Sequence, residues 1–431
     1  MELGTEEASG ILDLYRSERI VVRQVATSDL DNWIVTFDNY GIGHGFDRPG
    51  FAQDWLRTQN ISAIHVMGRG EDWYQYEDIA EALATVRAVV EGAPRVMTYG
   101  SSMGGYAAVR FADAVGAHSA LALSPQYTLD PEVAGHDRRW AQDAQRIGWI
   151  KSLNGPLTTQ SRVVVVYDPN GLDGWHGERI AADAVVTSIR LPYTAHPVTS
   201  YLSEIGVLAE LVVRVLHDIL DPVAFQRDAR RRRVDSGVYL GELAGAQPVH
   251  RYGTALALAR RAVAANPVNH HARLNLARLL LQGGQQSEAM NLFAGLVEDS
   301  DRALTYLVEQ ARALSIIGNV GDARDIAIEV VARAGDVAHL HGWAAHLCWL
   351  SGNTGEARKL IRRAVRLDPA NPDYLRSAAD YHFGLHGPDT AAPVRPTPWL
   401  HLARWIGRRG AIKAAARALL RQPLSEPATG S

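Results

Sequence analysis

A serine flanked by glycines where an apolar run gives way to a helix-like segment is the feature of this chain that most directly implies chemistry. Val96-Met97-Thr98-Tyr99 leads into Gly100-Ser101-Ser102-Met103-Gly104-Gly105, and Tyr106 to Val115 then carries alanines on what would be a close-packed helix face. In a strand-turn-helix of this kind the turn is too tight for bulk beside the serine, and Gly100 and Gly104 supply the room. The Ser102 hydroxyl is thereby raised out of the sheet edge, where a base and a carbonyl carbon can both reach it. This arrangement suits nucleophilic attack and acyl transfer.

A serine nucleophile needs a base, and the base needs an acid. Downstream of Ser102 within the strand-rich region lie His118, His136, His176, His196 and His217. Only His196, in Leu191-Pro192-Tyr193-Thr194-Ala195-His196-Pro197, falls directly after the last predicted strand and before a closing helix, so it is the expected base and then acid. The carboxylate should follow the preceding strand, Val163-Val164-Val165-Val166-Tyr167, which leaves Asp168 and Asp173 as equal candidates. Its task would be to fix the tautomer of His196 and stabilise the imidazolium. For the oxyanion, the amide of Met103 is one expected donor. A second is sought in Asp38-Asn39-Tyr40-Gly41, at Asn39 or Tyr40. Trp73 and Tyr74, in Asp72-Trp73-Tyr74-Gln75-Tyr76, are expected to line the substrate pocket.

Positioning these groups requires alternating strands and helices. Between residues 20 and 220 short β-branched runs alternate with longer helical ones, the signature of a doubly wound, mostly parallel α/β sheet. The strands are read at Ile20–Val25, Trp33–Phe37, Ile61–Val66, Val96–Tyr99, Ala120–Leu123, Val163–Tyr167 and Val185–Leu191, with helices over Tyr76–Val90 and Tyr201–Leu216. The segment Pro125–Gln160, with Trp140 and Trp149, interrupts this rhythm and is expected to be a short lid.

From Ala255 the strands vanish and a repeat takes over. Gly284, Gly318 and Gly352 are spaced by 34 residues, and so are Ala289, Ala323 and Ala357. That period predicts an all-α solenoid of helix pairs, each glycine permitting close helix approach and each alanine keeping the next helix near; Pro267 and Pro369 mark loops between repeats. The expected domains are therefore a sheet domain over 1–220, a charged linker over 221–250 that contains Arg230-Arg231-Arg232-Arg233, repeats over 251–386, and a Pro-rich connector with a basic helix over 387–431. The arginine run reads first as a solvated face and second as a phosphate site. The terminal helix reads first as a solenoid cap and second as a membrane-surface helix.

Composition bounds the rest. At 431 residues the chain exceeds one ordinary core, and 47% hydrophobic with 21% charged residues is globular. A formal net charge of -3 gives no global attraction to nucleic acid, so no nucleic-acid partner is expected. A lone Cys348 cannot form an internal disulfide, and the acidic start Met1-Glu2-Leu3-Gly4-Thr5-Glu6-Glu7 does not read as a signal peptide; a cytoplasmic protein is expected.

With these motifs in hand, residues 20–220 resemble the α/β-hydrolase superfamily, and Gly-Ser-Ser-Met-Gly-Gly-Tyr-Ala-Ala is similar to its esterase and acyl-hydrolase branches. The resemblance implies a Ser-His-Asp mechanism through an acyl-enzyme, with no metal or organic cofactor. The loop after Phe37 lacks the His-Gly signature of that family. Residues 251–386 look like a tetratricopeptide array, which implies a protein or peptide partner in a concave groove. The expected function is a serine hydrolase cleaving a small-molecule, lipid-borne or sugar-borne ester. The alternatives are an acyltransferase on the same triad and a non-catalytic interaction scaffold.

Overall fold

The computed structural model describes residues 11–43 and 45–384 and divides after Ala272 into two compact units. The described strands of the first unit are β1 (Ile11–Arg16), β2 (Ile20–Val25), β3 (Asn32–Phe37), β4 (Ser62–Gly68), β5 (Arg95–Ser101), β6 (Ser119–Leu123), β7 (Arg162–Tyr167) and β8 (Val186–Arg190). They form one sheet in the order β1-β2-β4-β3-β5-β6-β7-β8. The β1–β2 and β2–β4 pairings are antiparallel and all others parallel. The first strand was not expected, because Ile-Leu-Asp-Leu-Tyr-Arg mixes charges into a half-buried edge with a register shift between Asp13 and Tyr15. Asp13 takes Arg16 and Arg23 as ion-pair partners there.

Alternation along the parallel strands explains why the sheet carries apolar layers on both faces. In β7, Val163, Val165 and Tyr167 face one core while Val164 and Val166 face the other; β6 divides Ala120 and Ala122 from Leu121 and Leu123 in the same way. Helix Ile79–Val90 packs in the first layer, and Leu211, Val212 and Val215 of helix Leu208–Leu216 in the second. The single helix expected over 201–216 is in fact two, Val198–Glu204 and Leu208–Leu216, because Gly206 turns with φ +69° between them. The helix after Ser102 runs over Met103–Arg110, starting and ending earlier than read from its alanines.

Residues 221–250, expected as a linker, fold onto the sheet. Asp221 caps helix Pro222–Arg232, Ser236 caps helix Gly237–Gly245, and Phe225, Ala229 and Val238 join the second apolar layer. The Tyr201 hydroxyl donates to the Ala229 carbonyl at 2.6 Å. Charge on one face hid the burial of the other.

Paired helices follow, from Tyr252–Ala265 to Pro372–Phe383. Ala289, Ala323 and Ala357 are all fully buried, as close packing requires. The periodic glycines act differently from expectation: Gly284, Gly318 and Gly352 sit at φ +78°, +88° and +79°, and an added Cβ would touch nothing within 4 Å. Their role is backbone conformation at the helix ends, not close approach. Asn319 and Asn353 then cap the following helices through the amides of Asp322 and Glu356. In the second unit Ala311, Ala327, Ala344 and Cys348 form the core, and Trp349 stacks on Tyr381 at 4.6 Å. The Pro-rich connector and basic helix expected over 387–431 lie outside the described residues.

Gly318→Ala should cost about 1 kcal/mol or more because its φ is positive, whereas Gly321→Ala, inside helix Val320–Ala334 and in open space, should be neutral or stabilising by up to about 1 kcal/mol. Denaturant unfolding of both variants checks the contrast.

Candidate functional site

The site begins with a backbone constraint. Ser102 adopts φ 55°, ψ −118°, its amide donates to the Leu123 carbonyl at 2.8 Å, and its own carbonyl accepts from Tyr106. Around it the chain is packed to backbone contact. A Cβ on Gly100 would lie 2.1 Å from the Gly104 carbonyl oxygen, and one on Gly104 would lie 2.4 Å from that of Phe37. Only glycines allow β5, the helix behind Ser102 and the end of β3 to meet so closely.

On that turn the Ser102 hydroxyl stands 2.9 Å from Nε2 of His196, and Nδ1 of His196 stands 2.7 Å from Oδ2 of Asp173. Ser102 follows β5, Asp173 lies in the first turn of helix Leu172–Asp183 after β7, and His196 lies in the loop after β8. Three parallel strands thus deliver the groups at their carboxyl ends, where open α/β sheets present ligand sites. The structure brings Asp173, and not Asp168, to the imidazole. Asp168 instead accepts the amides of Asn170, Thr194 and Ala195 at 2.9, 2.7 and 3.3 Å, holding the loop that carries His196. Burial raises the Asp168 carboxyl above its ordinary value despite those three donors.

Several partners of this cluster were not legible in the sequence. Gln126, after β6, donates its amide to the Ser102 hydroxyl at 3.0 Å and accepts from the Trp73 indole at 3.3 Å. From the expected lid, Arg139 binds the second oxygen of Asp173 at 2.7 Å while forking onto Asp137. The Asp137 carboxylate also accepts from Nε2 of His176 at 3.0 Å, and that ring's Nδ1 accepts the Tyr127 amide, which sets the neutral tautomer. Burial pushes the His176 imidazole below its ordinary value. Burial opposes ionisation of Asp137 and Asp173, yet their bonds to the histidines and Arg139 hold both carboxyls below the usual range. No motif announces Arg139, since residues 125–160 form only short helices, Pro131–Ala134, Ala141–Arg146 and Lys151–Asn154.

Above the serine, Trp140 packs its ring against His196 at 5.1 Å and against Trp73 at 5.8 Å, and Tyr40 closes the triangle at 5.8 Å from Trp73 and 6.1 Å from Trp140. Ser102 is consequently only 4% exposed. Trp73 is part of this cover. Tyr74 is not: it is buried, with its hydroxyl donating to the Val66 carbonyl and accepting the Asp38 amide. That bond occupies the Asp38 amide, so Asn39 and Tyr40 carry the next amides of the loop. Met103 opens the helix behind the serine, where its amide has no intrahelical acceptor. The Tyr40 hydroxyl donates to Asp143 of helix Ala141–Arg146 at 3.2 Å.

Comparison with known proteins separates the two halves. Tetratricopeptide repeat models match residues 249–308 and 308–372. Residues 249–372 carry tetratricopeptide repeats. Among solved structures, a crystal structure of MamA is similar at 15% identity over 33% of this chain and 82% of that chain, with a TM-score of 0.29. MamA from Desulfovibrio magneticus RS-1 is 15% identical over 39% and 86%, TM-score 0.30. YrrB, described as a TPR protein with an unusual peptide-binding site, is 16% identical over 42% and 90%, TM-score 0.32. No curated protein matches the chain. Among the described residues no helix is long and apolar enough to cross a membrane.

Arg139→Met would leave two largely buried carboxylates without their shared cation and should destabilise the fold by about 3 kcal/mol near neutral pH. Both carboxyls bind protons more weakly when folded, so this contribution is present above their unfolded value near 3.8 and fades as pH falls towards the lower folded values. Denaturant unfolding of the native protein and the variant from pH 7 downward should show the gap narrowing below about pH 4.

Proposed function

We propose that the sheet unit is a serine hydrolase that cleaves an ester or related acyl bond, and that the tetratricopeptide repeats engage a protein or peptide partner. One observation carries the first half of this reading: the hydrogen-bonded run Ser102–His196–Asp173, built on a positive-φ serine between a buried strand and a helix. In the forward step the Ser102 oxygen bonds to the acyl carbon as its proton passes to Nε2 of His196. That proton then goes to the leaving alcohol or amine as its bond breaks. Water, deprotonated by the same imidazole, releases the acid and restores the serine. Asp173 keeps Nδ1 protonated and offsets the positive ring. The amides of Met103 and of Asn39 or Tyr40 would receive the oxyanion. An acyltransferase would use the same steps with another acceptor in place of water.

The cover of Trp140, Trp73 and Tyr40 gives this site a condition: an acyl carbon reaches Ser102 only when the lid aromatics yield. The same cover, together with family matches confined to the repeats, favours a second reading, a protein-interaction scaffold in which the sheet unit is non-catalytic. We place the protein in the cytoplasm on either reading, as a lone cysteine suits a reducing compartment.

A fluorophosphonate probe separates the two. The hydrolase reading expects stoichiometric labelling at Ser102, none in Ser102→Ala, and labelling slowed about 10⁴-fold in Asp173→Asn, where the imidazole loses its tautomer partner. Absence of labelling in the folded protein, with a partner still captured by the repeats, selects the scaffold.

A further inference from the structure

Arg230 and Arg231, in the arginine run at 230–233, are not spent on packing. Helix Pro222–Arg232 turns Phe225 and Ala229 into the apolar layer beneath the sheet, and among the described residues Arg232 is the one member of the run whose side chain makes a hydrogen bond or ion pair, to Asp228 and the Ile205 carbonyl. On the opposite side, Val223, Arg227, Arg230, Arg231 and Val234 recur at helical spacing of four, three, one and three residues. Together with Gln226 and Arg233 they line an open groove of about 570 Å³ without a carboxylate in its wall. Arg227, Arg230 and Arg231 are exposed and meet no carboxylate among the described residues, while the Arg233 guanidinium lies over the Tyr239 ring. Such a cluster of like charges is unfavourable by itself and gains from an anion brought to it.

What flanks the arginines selects the anion. Val223 and Val234 are 72% and 50% exposed at the two ends of the stripe, and Ile219 just before the helix is 67% exposed. Aliphatic side chains gain nothing from a phosphodiester backbone, but they gain from the boundary between headgroups and acyl chains, where guanidinium groups lie on lipid phosphates at the same depth. The support is also stiff. The Gln226 side chain donates to the Arg190 carbonyl at the end of β8, and the Tyr201–Ala229 bond fastens the helix from beneath. We propose that this face of helix Pro222–Arg232 docks the protein on an anionic lipid surface. The proposal is independent of the hydrolase reading and of the repeats.

The test uses the full chain and vesicles of phosphatidylcholine with roughly 30% phosphatidylserine, compared with phosphatidylcholine alone, by co-sedimentation. Binding should require phosphatidylserine, weaken as salt rises, and fall about a hundredfold in the triple variant Arg227→Gln, Arg230→Gln, Arg231→Gln, at about fivefold per arginine. The Arg→Lys triple variant should bind nearly as the native protein does, and Val223→Ser with Val234→Ser should weaken binding with charge unchanged. All these side chains are exposed, so thermal unfolding should be unaltered. No sedimentation of the native chain would overturn the proposal. So would equal binding by the glutamine variant, which assigns the contact to another basic segment, or abolition of vesicle binding by a short acidic peptide or DNA that itself binds the stripe more tightly.

Discussion

Three backbones meet at the turn that carries Ser102, and everything at the site depends on how near they come. The carbonyl of Gly104 lies where a side chain on residue 100 would begin, and the carbonyl of Phe37 lies where one on residue 104 would begin. Because neither residue has a Cβ, the helix behind the serine can lie down on the sheet. The serine is left on a left-handed bend with its hydroxyl toward the loops after β7 and β8. A wider separation of strand and helix would move the hydroxyl away from an imidazole 2.9 Å distant, and a hydrogen bond of that length tolerates little displacement.

Charge organises the second layer. Asp173 divides its two oxygens between an imidazole from the loop after β8 and a guanidinium from the segment after β6. The same guanidinium holds Asp137, which is itself tied to His176. A buried carboxylate is costly alone, and here each has a fully directed set of donors. Through Arg139 the network joins the segment 125–160 to Asp173. Arg139 also lies over the Trp140 ring, which in turn packs against His196, so the aromatic cover and Asp173 share the same guanidinium.

How much of this was readable in advance depended on the range over which the controlling force acts. The strands from β2 to β8 stood out because most of them are short runs of apolar and β-branched residues, whereas β1 did not, since its pairing with β2 decides its structure and its own residues do not. Glycine spacing around Ser102 and the position of His196 after the last strand were local signals. The choice between Asp168 and Asp173 was not local: both are short acidic side chains after the same strand, and only the path of the loop to His196 tells them apart. Arg139, Gln126 and the Asp137–His176 pair were silent for the same reason, being assembled from segments far apart in the chain. In the repeats the period was plain, but the reason for glycine within it needed backbone angles.

The two outermost strands of the sheet are each finished in a different manner. β1 carries a register irregularity with Asp13, Arg16 and Arg23 gathered around it, and β8 has the Pro222–Arg232 helix beside it with the Gln226 amide on its last carbonyl. A strand from another molecule would meet bent, charged backbone at one margin and, at the other, a strand whose last carbonyl is already taken by Gln226. Extension of this sheet from copy to copy is thereby discouraged at both of its described margins.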